Sequence, residues 1–161
     1  MTHSHTYPVP PERLLALLTD PDYLAARQER FAGVGDPTVE STGDDIAVTL
    51  VRQLPMDKIP GAVKGFIGDG KITQVETWST SPGEDEALMG TWRGEVTAAP
   101  ADIGGTYRIA PEGDGSRYDI EVRVKVKVPL VGGKIEQQVR GYLDHIITKE
   151  QGFLADWVAE A

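Results

Sequence analysis

The last strand that the sequence predicts, Ser116–Val128, alternates strictly between two kinds of side chain. Tyrosine and aliphatic residues face one way: Tyr118, Ile120, Val122, Val124, Val126 and Val128. Charged residues face the other way: Arg117, Asp119, Glu121, Arg123, Lys125 and Lys127. Because successive side chains of a strand point to opposite sides of the sheet, one face packs inside and the other meets water. The pattern is typical of an antiparallel sheet that is covered on one side.

Further period-two segments precede this strand and are separated by turn residues. We expect a first strand at Thr2–Val9, and five more after Gly33 at Thr38–Thr42, Asp45–Leu54, Lys71–Thr80, Met89–Ala98 and Thr106–Pro111. The turns carry the Gly, Pro, Asp and Ser residues expected between strands, with Ile103-Gly104-Gly105 interpreted as one of them.

The helices follow a different period. Two short helices are predicted at Glu12–Leu18 and Pro21–Phe31, where Asp20 caps the second and Pro21 occupies its first turn. A long helix is predicted at Gly133–Val158, roughly 40 Å in length. Its apolar stripe consists of Ile135, Val139, Tyr142, Leu143, Ile146, Phe153, Leu154 and Trp157.

The order of these elements predicts an α+β fold. A seven-stranded antiparallel sheet would carry two short helices after strand 1. Those helices are too small to cover its inner face, so the long C-terminal helix must lie across it. The 161 residues suit one domain spanning positions 1–161.

Composition excludes several functions. The formal net charge of −9 disfavours nucleic-acid binding and broad attachment to anionic membranes. The absence of cysteine excludes disulfides, thiolate nucleophiles and cysteine-based zinc sites. The polar start of the chain is not typical of a signal peptide, and no apolar run approaches the roughly 20 residues that span a bilayer. We therefore expect a cytoplasmic protein.

Sequence motifs for common cofactors are missing. There is no nucleophile elbow, no phosphate-binding loop and no dinucleotide fingerprint, so no cofactor is predicted. His3 and His5 share one face of the first strand and would make half of a metal site. Without a third ligand nearby in sequence they are interpreted as a polar strand start, and no metal site is predicted.

Three charged residues occupy predicted apolar faces. Glu150 lies within the apolar stripe of the long helix. It reaches solvent at the sheet edge, pairs with a cation, or points into a cavity, where it would be a polar anchor or general acid. Arg52 shares a face with Ile46, Val48 and Leu50, and Glu76 shares a face with Trp78. The sequence does not decide whether Arg52 and Glu76 form an ion pair, because it leaves the register of adjacent strands undetermined.

The remaining ligand-binding candidates are apolar or aromatic residues on inner faces. They are Trp78, Trp92, Tyr107, Tyr118, Ile120, Val122 and Val124 on strands, with Leu143 and Ile146 on the long helix. Side chains on such faces build either a core or a cavity wall.

The segment between two neighbouring strands, residues 55–70, is far longer than a hairpin needs. A helical turn around Pro60–Ile67 would place Ile59, Val63, Phe66 and Ile67 on one side. These residues form either a lid over a cavity or a static plug beneath the sheet. The lysines of the segment make a transient membrane contact conceivable.

Two stretches resemble a known superfamily. "PPERLLALLTDPDYLAARQERF" is similar to the paired helices, and "VPLVGGKIEQQVRGYLDHIITKEQGFLADWV" to the last strand, Pro-to-Gly-Gly corner and closing helix, of the START / Bet v 1-like (SRPBCC) superfamily. More narrowly, the chain resembles an uncharacterised actinobacterial branch of it. The resemblance implies a helix-grip fold, in which a curved sheet grips the long helix around a cavity for lipids, sterols, polyketides or similar ligands.

Three functions remain open at this point. The leading hypothesis is a protein that binds or carries a hydrophobic small molecule between the sheet and the C-terminal helix. The alternative is a cyclase- or aromatase-like enzyme acting on a polyketide or terpenoid-type substrate, with Glu150, Glu76 or a histidine as acid or base. The third is an interaction module with a filled interior and no ligand. Two titratable groups close together inside would favour the enzyme.

Overall fold

The structure is a computed structural model that describes residues 1–59, 61–96 and 100–161. Its strands are β1 (Thr2–Tyr7), β2 (Thr38–Thr42), β3 (Asp45–Gln53), β4 (Lys71–Ser79), β5 (Leu88–Val96), β6 (Ala101–Glu112), β7 (Gly115–Glu121) and β8 (Arg123–Val126). The helices are α1 (Pro11–Leu18), α2 (Pro21–Arg30), α3 (Gly61–Lys64) and α4 (Gly132–Glu160), and Met56–Lys58 form one 3₁₀ turn. The predicted α+β architecture is confirmed.

All strands join one curved antiparallel sheet in the order β1-β7-β6-β5-β4-β3-β2, with β8 also paired to β6. Within the described residues the sheet has eight strands rather than seven, because the last predicted strand is divided at Val122. The amide of Val122 donates to the Met1 carbonyl at 2.8 Å, just before the first residue of β1. Both halves keep the same register on β6, with Ile120 opposite Tyr107 and Arg123 opposite Gly104.

The prediction of a turn at Ile103-Gly104-Gly105 was wrong, because these residues belong to β6. A side chain at Gly105 would collide with the Glu121 carbonyl of the adjacent strand segment, and one at Gly104 with the Trp92 carbonyl. The glycines therefore permit close approach of three strands rather than a reversal of the chain. The predicted end of the preceding strand, Ala98, lies outside the described residues.

The two short helices begin as their sequence predicts. Asp20 caps α2, accepting hydrogen bonds from the amides of Asp22 and Tyr23 at 2.8 and 3.2 Å, and Pro21 occupies the first turn. Leu14 of α1 and Leu24 of α2 are fully buried. These helices fill one end of the space beneath the sheet.

Helix α4 crosses the inner face of the sheet, as predicted. Its buried residues Ile147, Leu154 and Val158 join the core. At its other end, the Glu136 carboxylate accepts the Val126 amide at 2.8 Å, and Arg140 donates to the Val124 carbonyl at 3.3 Å. These bonds fix the N-terminal half of α4 to β8, but the middle of the helix stands away from the sheet and leaves a cavity.

Candidate functional site

The cavity has a volume of about 450 Å³ and lies between the inner face of the sheet and α4. Strands β4 to β8 and the middle of α4 supply most of its wall, and residues 54–59 and 63–67 contribute to one side. Side chains such as Ile103, Ile120, Val139 and Ile146 make that wall predominantly apolar. The alternation predicted for the strands places these side chains on the inner face, so the wall is a continuation of the core.

Part of the described cavity lining is exposed to solvent. The exposed lining residues are Lys58, Phe66, Pro100 and Gln138, which we call the mouth residues. They come from the segment after β3, from the start of β6 and from the N-terminal half of α4. Ligand access would therefore be between α4 and the segment after β3.

Four charged side chains, three in the wall and one behind it, form a polar cluster: Arg27, Arg52 and Glu150 line the cavity, and Glu76 is buried behind them. Arg27 donates to both oxygens of Glu76 at 3.0 Å and to Glu150 Oε2 at 3.2 Å. The guanidinium of Arg52 forms an ion pair with Glu150 Oε1. Each carboxylate thus contacts at least one guanidinium, and Glu150 lies between two.

Glu76 is held by further hydrogen bonds. Its Oε2 also accepts from Gln74 Nε2 at 2.9 Å and from the Tyr107 hydroxyl at 2.6 Å. Burial by itself would raise the pKa of Glu76, but the Arg27 charge and the hydrogen bonds from Arg27 and Tyr107 hold that pKa below its usual value of 4.5. Glu76 is therefore ionised at neutral pH.

Arg27 is charged and Tyr107 and Tyr118 are neutral at pH 7. Burial disfavours the charged form of Arg27, yet the Glu150 and Glu76 carboxylates raise its pKa well above the usual value. Burial and the nearby Glu76 charge raise the pKa of both Tyr107 and Tyr118. These tyrosines are neutral hydrogen-bonding groups, and Tyr107 stacks on Trp78 with ring centroids 4.9 Å apart.

Most of the predicted site residues line the cavity. The lining set includes Arg52, Trp92, Tyr107, Tyr118, Ile120, Leu143, Ile146 and Glu150, and also the four predicted lid residues Ile59, Val63, Phe66 and Ile67. Four others do not line it: Glu76, Trp78, Val122 and Val124 are buried behind the wall. For all the predicted site residues, whether or not they line the cavity, contact with a ligand stays a prediction.

The suggested Arg52–Glu76 pair does not form. In the register of β3 and β4, Glu76 lies opposite Val48, and Arg52 lies opposite Ile72. The four-residue offset separates the two side chains along the sheet, so each finds another partner. Glu76 pairs with Arg27, and Arg52 pairs with Glu150.

Two important residues escaped the sequence analysis. Arg27 follows Tyr23 and Leu24 by one helical turn, so its place on the buried face of α2 was visible in the spacing. Gln151 lines the cavity with 7% of its surface exposed, and its amide nitrogen has no hydrogen-bond partner among the described residues. A glutamine beside the helical stripe gave no comparable signal.

The histidines lie apart from the cavity. His3 Nε2 is 3.6 Å from a carboxylate oxygen of Asp144, and His5 Nδ1 bonds to the Thr6 carbonyl at 2.8 Å. His145 is exposed on α4. None of the three lines the described part of the cavity wall. None of the described helices is long and apolar enough to cross a membrane.

Sequence comparisons connect the chain to a protein family and to mycobacterial relatives. A model of the family described as "Protein of unknown function (DUF2505)" matches residues 2–158. An uncharacterised protein of Mycobacterium tuberculosis is 30% identical over 122 residues, covering 73% of this chain and 69% of the relative. A mycobacterial relative agrees with the actinobacterial branch that the sequence resembles.

Solved structures share the fold. A protein of Thermus thermophilus has a TM-score of 0.65 at 18% identity, covering 99% of this chain and 97% of the other. An aromatase/cyclase from a Streptomyces species has a TM-score of 0.57 at 12% identity, covering 99% and 92%. A START superfamily protein from Mycobacterium smegmatis has a TM-score of 0.54 at 12% identity, covering 98% and 97%. These matches confirm the predicted START / Bet v 1-like fold, and at such identities they show the fold alone.

Proposed function

This chain belongs to the DUF2505 family of proteins of unknown function and has the START / Bet v 1-like fold, and from that premise we propose that it binds a hydrophobic small molecule between its sheet and α4. The observation that carries the proposal is the cavity of about 450 Å³ with a predominantly apolar wall. Ligand pockets have volumes of about 300–1,000 Å³ and this same composition. Packed cores leave few voids larger than a water molecule, so folding alone does not require such a space.

The polar cluster supports binding over proton transfer. Glu76 and Glu150 both contact Arg27, and two carboxylates in one interior are the feature that would favour an enzyme. However, Glu76 lies behind the wall, and its lowered pKa makes it a poor proton donor and a weak base. The same cluster is well suited to orient a polar group of a ligand. The aromatase/cyclase among the structural neighbours keeps the enzyme as the second candidate.

The segment between β3 and β4, residues 55–70, is the proposed entrance. Among the described residues, its backbone hydrogen bonds are short-range ones inside the segment, such as Lys58 to Pro55 and Phe66 to Val63, both at 2.9 Å. Bonds to the rest of the chain occur at its two ends, where Leu54 bonds to Gly70 at 2.8 Å. Phe66 is 36% exposed although it lines the cavity. A segment tied only at its ends can open, which favours a lid over a plug. Pro60, where the predicted helical turn begins, lies outside the described residues.

The test is binding of the uncharged fluorescent probe N-phenyl-1-naphthylamine. We expect one probe per folded chain, and Ile146→Trp should weaken binding at least tenfold because the indole fills the cavity. His145→Trp is the matched control, since it adds the same side chain at the exposed neighbouring position of α4. Equal binding by the wild type and both variants, or no binding by the wild type, would refute an internal site. Native mass spectrometry of the purified protein then identifies a co-purified ligand.

A further inference from the structure

The charges of the polar cluster cancel. Two guanidinium groups, Arg27 and Arg52, face two carboxylates, Glu76 and Glu150, within one set of contacts. Tyr23, Tyr107 and Tyr118 border the cavity as neutral groups, because burial raises the pKa of each. The polar cluster and the three tyrosines together therefore have a formal charge of zero before any ligand enters.

One other charged residue lines the described wall, and it lies elsewhere. Lys58 is a mouth residue and is exposed to solvent. From Gln138 at the mouth to Gln151, the residue that follows Glu150, α4 advances by about 20 Å at its rise of 1.5 Å per residue. The cavity thus extends from a surface opening to a buried, electrically balanced polar end.

That polar end has hydrogen-bond donors left over. The amide nitrogen of Gln151 is buried in the cavity wall without a partner among the described residues. Arg52 contacts Glu150 through one nitrogen, and no other hydrogen bond of its guanidinium is found in the described part of the chain. A guanidinium has five N–H groups, so several donors remain for an incoming acceptor. A buried donor without a partner is costly, and an oxygen atom of a ligand would remove that cost.

A charged ligand group would not be stabilised there. A carboxylate would lose its hydration on entering and would add a fifth charge to a set that is already balanced. An ammonium group would face the same loss of hydration and would likewise add an unbalanced charge. An uncharged oxygen loses much less hydration and accepts the donors directly.

We infer that the cavity selects an elongated apolar ligand carrying an uncharged oxygen acceptor, such as a ketone, ester or hydroxyl oxygen, which bonds to Gln151 and Arg52. This inference rests on the proposed function, since it assigns the ligand class of the same cavity. It predicts discrimination between ligands of equal length by the charge of one terminal group.

The experiment compares 2-dodecanone, dodecanoate and dodecylammonium as competitors of N-phenyl-1-naphthylamine at pH 7.5. We expect the wild type to bind the ketone at least tenfold more tightly than either ion. Gln151→Leu should weaken the ketone about fivefold relative to the naphthylamine, the value of one hydrogen bond. Gln137→Leu, the same change at an exposed position of α4 outside the cavity wall, should leave the ketone unchanged.

Two variants that change the formal charge of the polar cluster test whether its neutrality determines which ligand binds. Glu150→Gln leaves one positive charge in excess, so dodecanoate should gain at least tenfold relative to the ketone. Arg52→Gln leaves one negative charge in excess, so dodecylammonium should gain affinity relative to the ketone instead. The second variant provides the test if the first does not fold.

The outcomes separate this inference from the proposed function. If the wild type binds the naphthylamine and Ile146→Trp blocks it, but dodecanoate binds as tightly as the ketone, the inference is overturned and the proposed function stands. The inference also fails if neither charge variant changes the order of the three ligands. If no probe binds the wild type, both are overturned.

Discussion

Replacing Tyr107 by phenylalanine tests the polar cluster through one atom. The hydroxyl of Tyr107 donates to Glu76 Oε2 at 2.6 Å, and the side chain is buried. Phenylalanine keeps the ring stacked on Trp78 and removes only this donor. Hydrogen bonds to charged groups contribute about 1.5–3 kcal/mol, so we expect the free energy of unfolding to fall by about 2 kcal/mol.

Tyr118→Phe is the matched control. Tyr118 is also buried, lines the same cavity and packs against Tyr107 at 5.7 Å between ring centroids. Its hydroxyl has no hydrogen-bond partner among the described residues, so its loss should cost no more than about 0.5 kcal/mol. Urea unfolding followed by tryptophan fluorescence measures both variants. With an m-value of about 2 kcal/mol/M, the Tyr107 variant should shift its midpoint by about 1 M.

The difference between the two variants should depend on pH. Because the folded state lowers the pKa of Glu76 below 4.5, Glu76 contributes stability that is present above its ordinary pKa and is lost as pH falls through the lowered value. Tyr107→Phe removes part of that lowering. The difference in the free energy of unfolding between the two variants should therefore be largest at pH 7 and decrease below pH 4.5. Equal destabilisation by both variants at pH 7 would refute the hydrogen-bonding role of Tyr107.

Other parts of the molecule give three more predictions. Arg27→Met leaves Glu76 without its main counter-ion and should cost about 3–5 kcal/mol in thermal or urea unfolding, and adding Glu76→Leu should recover part of the loss. Gly105→Ala should destabilise the protein by more than about 1 kcal/mol by forcing β6 away from Glu121, whereas Gly141→Ala, in open space on α4, should stabilise it by about 0.5–1 kcal/mol. In hydrogen exchange, amides of residues 61–67 should exchange quickly without ligand and become protected with 2-dodecanone. Exchange as slow as that of β5 and β6 in the ligand-free protein would identify the segment as a plug.

Local patterns in the sequence were sufficient for the architecture. Alternation between Ser116 and Val128 predicted which face of the sheet is buried, and the structure buries Tyr118, Ile120, Val122 and Val124 accordingly. The Asp20-Pro21 pair predicted the start of α2 within one residue. These signals are reliable because each depends on neighbours along the chain, through strand periodicity or helix capping.

Local patterns misjudged features that depend on another strand. Gly104 and Gly105 look like turn residues in the sequence, but the structure uses them for close contact with Trp92 and Glu121. The division of the last strand at Val122 likewise depends on where β1 begins. Neither feature can be predicted without knowing which strands are neighbours, and that is a property of the whole sheet.

The chemistry of the site was decided by the tertiary structure. The sequence placed Arg52, Glu76 and Glu150 on apolar faces, which correctly marked them as charges needing partners. Which partner each one has depends on the β3–β4 register and on the position of α2, which brings Arg27 between Glu76 and Glu150. A sequence determines what a side chain requires, since burial follows from local periodicity. Only the packing of distant elements determines how that requirement is met, because the interacting atoms of Arg27 and Glu150 are 123 residues apart along the chain.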